Sequence, residues 1–457
     1  MSIQKIPVKL KRRMPATTVI LLGFLAVILL GTLLLILPVS SRSGCFTDPE
    51  TAAFTAVSAT CVTGLVIVDT MTYWSTFGQI VILCMIQIGG LGFMTLAMFL
   101  SMLVKRTITP RERVIAAQAL GLNSTEGTVK LARRILTGTF LVEGAGAVVL
   151  STQFIPIFGW ADGIYRGIFH AVSAFCNAGF DLMGDFSGSM TSLNAFCDNY
   201  VVNLTVMLLV IIGGIGFIIW DDICCYISRR DPLTVYSKFI LIVTAILIFG
   251  GAAAFFCFEF HNEATMAGLN TGERILASFF QSVTTRTAGF STIDNGLFTP
   301  ESKVISIILM LIGGASGSTA GGLKVGTVGI VLYTVFRVAA GHTDVVIFRR
   351  KVSQENVLRA ISIVGIGLLL LVSFSLAISV SDGVDLIPAV YEVASAIATV
   401  GLSLSLTPSL SLFGHILLMF LMFFGRVGIL TVTFSMMLRL SSRQSCISYP
   451  ETNMMIG

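Results

Sequence analysis

The sequence predicts an all-α integral membrane protein built from four copies of one unit. Each unit is a long helix, a short re-entrant segment and a second long helix, giving eight spans plus four re-entrant helices around one axis. Three observations predict this. Of 457 residues, 55% are hydrophobic and only 12% charged, against about 25% charged in soluble domains. Apolar runs long enough to cross a bilayer recur, at 17–38 and 239–258 among others. One phrase appears four times: FTAVSATCVTG at 54–64, FHAVSAFCNAG at 169–179, FFQSVTTRTAG at 279–289 and YEVASAIATVG at 391–401. Each copy ends on a glycine, and a regular spacing of roughly 110 residues marks four copies of one structural unit.

The elements follow in order. A tail over 1–16 carries Lys5, Lys9, Lys11, Arg12 and Arg13. The apolar run behind it is too long for a cleaved signal peptide and shows no small-residue cleavage site. Repeat 1 covers 17–104, a cytoplasmic loop 105–130, repeat 2 131–227, repeat 3 237–340, repeat 4 355–440, and a cytoplasmic tail 441–457. Entry helices are expected over 17–38, 131–156, 237–258 and 357–380, and exit helices over 73–104, 200–227, 302–338 and 409–440. The segments before the repeated glycines are too short to span a core about 30 Å thick. They must enter and leave on one side. Non-helical backbone at that depth is tolerated only where protein buries it or where it lines a wet cavity.

With the N-terminus inside, the inner loops hold Lys105, Arg106, Arg111, Arg113, Lys130, Arg133, Arg134, Arg229, Arg230, Lys238, Arg349, Arg350, Lys351 and Arg359. The outer loops hold Arg42, Arg166, Arg274, Arg286 and Lys303. That asymmetry places both termini and the basic loops in the cytoplasm. The outer side is rich in acids, including Asp48, Glu50, Asp69, Asp181, Asp185, Asp294 and Glu392. Such a face concentrates cations at a pore mouth, or is simply solvated loop charge.

Four equivalent segments about one axis can present a ring of carbonyls to a dehydrated cation. Glycine permits the positive φ and close approach this requires. The candidate filter is Val62, Thr63 and Gly64; Asn177, Ala178 and Gly179; Thr287, Ala288 and Gly289; Thr399, Val400 and Gly401. The short helices before them aim partially negative C-termini at the axis. The alternative is that these glycines only allow tight helix packing.

A second motif follows each filter: Ile88-Gly89-Gly90-Leu91-Gly92-Phe93, Ile212-Gly213-Gly214-Ile215-Gly216-Phe217, and Phe424-Gly425-Arg426-Val427-Gly428. Repeat 3 expands it to LIGGASGSTAGGLKVG over 311–326. So many glycines make a poor continuous helix, and a break under the filter is expected. The candidate gate is the loop 313–326, with Gly313, Gly314, Ser316, Gly317, Ser318, Thr319, Gly321, Gly322 and Lys324, together with Arg426. A phosphate-binding P-loop is excluded, because Leu323 rather than Lys follows Gly322 and no strand precedes.

These motifs resemble the Trk/Ktr/HKT superfamily of potassium transporters, most closely its Ktr-type (KtrB) membrane subunits. The resemblance covers nearly the whole chain. Thr399-Val400-Gly401 is similar to the TVG of potassium-channel filters, and Asn177 to Phe180 and Arg286 to Phe290 to the family's second and third filters. A serine at the first filter glycine goes with sodium selectivity in plant relatives; Gly64 stands there. Leu65 stands where Phe180 and Phe290 follow in repeats 2 and 3. The resemblance implies inward potassium conduction in the bacterial inner membrane, an intramembrane loop as gate, and sodium as an activator. It also implies a homodimer on a KtrA-like ring of cytosolic nucleotide-binding regulatory subunits, with no cofactor in this chain. It places Arg426 beside the pore, where an electrostatic barrier contacting the loop is one reading and an internal ion pair the other.

No stretch reads as a nucleotide-binding domain, so an enzyme that hydrolyses ATP by itself is not expected. The ion-path subunit of an ATP-driven potassium pump and a sodium-permeable relative remain as alternatives. An alternating-access carrier would show two inverted halves. Arg286 is expected to pair with a carboxylate such as Glu392 or Glu273, and Lys324 to snorkel inward. Glu143 reads as an interhelical contact or a proton relay. Cys45 and Cys197 both fall outside, where an oxidised pair could form. His170, His261, His342 and His415 form no ligand cluster in sequence.

Overall fold

The computed structural model describes residues 16–92, 109–119, 127–342 and 344–427. Both tails, most of the 105–130 loop, the far ends of the first and fourth exit helices, and Gly428 lie outside these residues. The described chain is helical apart from a two-stranded hairpin, Val346–Ile347 with Arg350–Lys351.

The four entry helices are Ala16–Ile36, Thr128–Phe158, Val235–Glu259 and Gln354–Asp382. They begin and end within a few residues of the sequence expectation. By length and composition they are the four helices able to cross a membrane among the described residues, or five spans if the bent exit helix of repeat 2 is included. Their outward faces are bare hydrocarbon: Leu33, Leu141, Val148, Phe249 and Leu369 are all exposed. An apolar helix exposed along its length is stable only against lipid or another apolar surface.

The re-entrant helices are Pro49–Cys61, Trp160–Phe175, Thr271–Thr284 and Leu386–Ala398, of 13, 16, 14 and 13 residues. At about 1.5 Å per residue none spans a bilayer core. Polar groups cap the starts of the first and third. The Asp48 carboxylate accepts from the amides of Glu50 and Thr51, and the Asn270 amide donates to Glu273. The repeated aromatics anchor them: Phe54, Phe169 and Tyr391 are fully buried. Phe279 is half-buried and packs edge-on against Phe249 at 5.6 Å.

The exit helices follow, and the second departs from expectation. The first is described over Thr76–Leu91 and reaches Gly92, with φ +80 and ψ 133; its expected course to 104 lies outside the described residues. The second, expected to be continuous over 200–227, turns by 98° between Tyr200–Gly214 and Phe217–Ser228. Gly216 there adopts φ +100 and ψ 138, close to the conformation of Gly92. The last glycine of the Gly-Gly-x-Gly motif is therefore the turning residue. The third exit helix is Pro300–Leu311, a loop, and Val325–Ala339. The fourth is described over Leu412–Val427.

The first glycine of the motif has a different task. A side-chain carbon on Gly89, Gly213 or Gly425 would lie 2.0, 2.0 or 2.1 Å from the carbonyl oxygen of Thr60, Phe175 or Ile397 respectively. Each of those carbonyls belongs to the residue four positions before a repeated glycine. The exit helix thus packs on the last turn of the re-entrant helix at backbone distance. Repeat 3 breaks the rule, because Gly313 meets the carbonyl of Gly321, at 2.2 Å, from its own loop. We expect Gly213→Val to lower the melting temperature of the detergent-purified chain, consistent with an overpacking cost of about 1–3 kcal/mol. Gly144→Ala, with nothing within 4 Å of the added carbon, should leave it unchanged.

Candidate functional site

The repeated glycine stretches owe their shape to how the short helices stop. Val62, Asn177, Thr287 and Thr399 take φ values of 59, 59, 72 and 51. This left-handed turn is costly for residues other than glycine and asparagine. In repeats 1, 2 and 4 the next amide reaches back to close a six-residue cap: Thr63 to Ser58, Ala178 to Ser173 and Val400 to Ser395, each 2.8 Å. Repeat 3 closes one residue tighter, Ala288 to Thr284 at 2.9 Å. Side chains brace the turn. Ser58 and Ser395 accept from the amides of Gly64 and Gly401 at 3.1 and 3.0 Å. Ser173 and Thr284 donate to the carbonyls of Phe180 and Phe290 at 2.7 and 2.6 Å.

The four stretches then meet in chain order. A side-chain carbon on Gly64 would lie 2.4 Å from the carbonyl oxygen of Ala178, on Gly179 2.8 Å from that of Ala288, on Gly289 2.4 Å from that of Val400, and on Gly401 2.2 Å from that of Thr63. The cycle closes, 1 to 2 to 3 to 4 to 1, with backbone oxygens between neighbours. All four glycines have φ between +70 and +93, so a side chain there would be strained in conformation and would push a neighbouring backbone oxygen aside. Above the ring lies a cavity of about 290 Å³, lined by all four glycines and by Asp69, Asp181 and Asp294 among others.

The side chains of the residues that turn the helices point elsewhere. Those of Val62, Asn177, Thr287 and Thr399 lie beside Gly89, Gly213, Gly313 and Gly425 of the exit helices. They wedge ring and exit helix together.

The broken segment of repeat 3 folds back under the ring. Gly313 donates to the Leu323 carbonyl at 2.8 Å, and Val325 to that of Gly314 at 3.0 Å. The loop is tied to the bend in repeat 2: Ala315 donates to Gly214 at 2.9 Å, Thr319 to Gly213 at 3.3 Å, and Phe217 to Gly317 at 2.9 Å. Ser318 donates to Ala315 at 2.7 Å, and the Ser316 carbonyl lies against Gly216. Gly321 and Gly322 abut Thr399 and Ala398. The Arg426 guanidinium donates to the carbonyls of Thr319, Gly89 and Gly90, the last at 3.1 Å. No carboxylate pairs with it among the described residues.

A family model described as a cation transport protein, TrkH, matches residues 5–446. The chain belongs to the TrkH family. It is 42% identical over 455 residues to the potassium/sodium uptake protein NtpJ of Enterococcus hirae, covering 98% of this chain and 99% of the relative. It is 35% identical over 460 residues to the Ktr system potassium uptake protein B of Bacillus subtilis, covering all of both. The crystal structure of the potassium transporter TrkH from Vibrio parahaemolyticus shares the fold, with TM-score 0.72 at 18% identity, over 93% of this chain and 86% of that one. This TrkH-family chain is a KtrB-like, multi-pass membrane subunit of the Trk/Ktr superfamily.

Several side-chain expectations are corrected within this family fold. Arg286 has no carboxylate partner among the described residues and donates to the Thr244 hydroxyl at 3.4 Å. Glu392 is instead saturated by Ser403, Thr407 and the Leu404 amide, and Glu273 by its own helix start. Lys324 does not snorkel away; it donates to the Ala320 carbonyl at 2.7 Å. Glu143 accepts twice from Gln87 at 3.1 Å, an interhelical contact. Cys45 and Cys197 carry free thiols.

Two pairings escaped the sequence reading. Arg166, buried at 3% exposure, forks onto Asp185 and the Leu182 carbonyl. His415 lies 2.5 Å from Glu50 and 2.8 Å from the Thr407 carbonyl, joining repeat 4 to repeat 1. The only signal for either was a charged or ionisable group in an apolar neighbourhood.

The acids at the cavity are mostly engaged. Asp69 accepts from Met71, Thr72 and Met190, and Asp294 from Gly296. Asp181 differs: loss of water, opposed by the Met183 amide and reinforced by the Asp69 charge, pushes its carboxyl up to about 7. It gains charge as pH rises through that value. We expect the apparent affinity for a transported cation to improve between pH 6 and pH 8, the range about one unit either side of that midpoint, and Asp181→Asn to flatten the dependence.

Proposed function

We propose that this chain is a potassium uptake subunit that conducts K+ inward through the ring of carbonyls at Gly64, Gly179, Gly289 and Gly401. The observation that carries this is the cyclic closure of the four stretches by backbone oxygens. A dehydrated monovalent cation needs oxygen ligands on all sides without a fixed counter-charge that would trap it. The printed names of the relatives, both uptake proteins for potassium, support the same reading.

In this reading eight spans and four re-entrant helices surround one pseudo-four-fold pore. The acidic cavity faces outward and the basic loops face the cytoplasm of the bacterial inner membrane. Flux follows the membrane potential, which contributes about 2.3 kcal/mol per charge per 100 mV. The loop 313–326 and Arg426 form the gate: a fixed positive charge and a folded strand of backbone lie in the path below the ring. A homodimer on a KtrA-like cytosolic ring would bind nucleotide and set the loop's position, and sodium would activate uptake. The relative named for potassium and sodium and the unequal cap of repeat 3 support some sodium passage as a second reading.

Rubidium uptake by the purified chain in liposomes, competed by K+ and by Na+, tests this. K+ should compete at much lower concentration than Na+; equal competition would favour the second reading, and no uptake would contradict both. Gly64→Ser should cut the preference for K+ by about tenfold, the worth of about 1.4 kcal/mol of lost coordination. Deleting 316–321 should raise flux, and so should Arg426→Gln.

A further inference from the structure

The Asn177 side chain stands between the ring and the loop and has a contact with each. Its oxygen lies 3.2 Å from the Thr319 hydroxyl, whose single proton it shares with the Phe175 carbonyl at 3.1 Å, and its nitrogen lies 3.5 Å from the carbonyl of Arg286 and the hydroxyl of Thr287. It is buried at 1% exposure. Gly213 and Gly214 leave the room it occupies, since a side-chain carbon on Gly213 would lie 3.0 Å from the Asn177 oxygen. The other turning residues do not bridge in this way. Val62 is apolar, and the Thr399 hydroxyl has no hydrogen-bond partner among the described residues. One polar side chain therefore connects the turn of repeat 2, the turn of repeat 3 and the loop.

We propose that Asn177 is the positioning residue through which cation occupancy of the ring is transmitted to the intramembrane loop. The inference rests on the uptake reading above and deepens it by naming the link between selection and gating. A cation held by the Ala178 and Ala288 carbonyls fixes the two turns that precede them. Those turns set the direction of the Asn177 amide, and the amide sets whether Thr319 is held. Thr319 is also the loop residue whose carbonyl accepts from Arg426, so the latch acts on the residue that carries the pore's positive charge. An emptied or sodium-filled ring loosens the turns and releases the loop.

The test uses the full chain in nanodiscs. Hydrogen–deuterium exchange is followed over 313–324 in K+ and in Na+, for wild type, Thr319→Val and Asn177→Gly. Glycine accepts the left-handed turn without strain, and valine matches threonine in shape. We expect K+ to slow loop exchange in wild type by about threefold relative to Na+, a shift within the range of local opening energies. In both variants the ratio should fall to about one, since both lack the Asn177–Thr319 contact, and Asn177→Gly alone keeps the Thr319 contact with the Phe175 carbonyl. No cation dependence in wild type, or one that survives Thr319→Val, overturns the proposal. If Asn177→Gly does not fold, Thr319→Val decides alone. Loss of rubidium uptake by wild-type liposomes with the exchange difference intact would sink the uptake reading and leave this coupling standing.

Discussion

Each re-entrant helix has to stop with its last carbonyls facing inward, and the left-handed turn at Val62, Asn177, Thr287 and Thr399 is what stops it there. Without that turn the helix would continue, its carbonyls would bond to its own amides, and no oxygen would face a neighbour. The turn is unfavourable for valine and threonine. It is held by six-residue caps in repeats 1, 2 and 4 and a tighter one in repeat 3, by the bracing hydroxyls, and by wedging of each side chain against an exit-helix glycine. Local strain of this kind persists where surrounding structure over-determines it. The ring is thus a consequence of packing between helix pairs, and the glycine stretches alone would not form it.

The two interrupted exit helices solve one problem together. A helix broken inside a membrane frees amides and carbonyls that lipid cannot satisfy. Here the carbonyls of Gly213 and Gly214 accept from the loop of repeat 3, and the amide of Phe217 donates back to Gly317. The bend of repeat 2 and the loop of repeat 3 are each other's hydrogen-bond partners. Arg426 fits the same logic: a half-buried guanidinium with three carbonyl partners is held without its charge being cancelled.

Much of this was legible in the sequence. The entry helices follow from hydropathy alone, because lipid-facing surface imposes composition residue by residue. The ring glycines align by period, and the expanded repeat 3 motif signals a break by its glycine content. The bend at Gly216 was not legible, since the motif at 212–217 reads almost identically to that at 88–93 and its hydrogen-bond partners come from another repeat. Arg286 was assigned a carboxylate by elimination, but both candidate acids were already committed to backbone amides and hydroxyls. The His415 contact with Glu50 spans 365 positions and exists only because the ring closes.

The central claim is that four backbone turns together replace the water around one monovalent cation. Crystals of the full chain grown in rubidium or thallium salts, measured at the absorption edge of the cation, test it most directly. The account predicts anomalous density on the axis between Gly64, Gly179, Gly289 and Gly401, diminished by sodium exchange only at much higher concentration than by potassium. Density confined to the acidic cavity, with none among the four glycines, would contradict it.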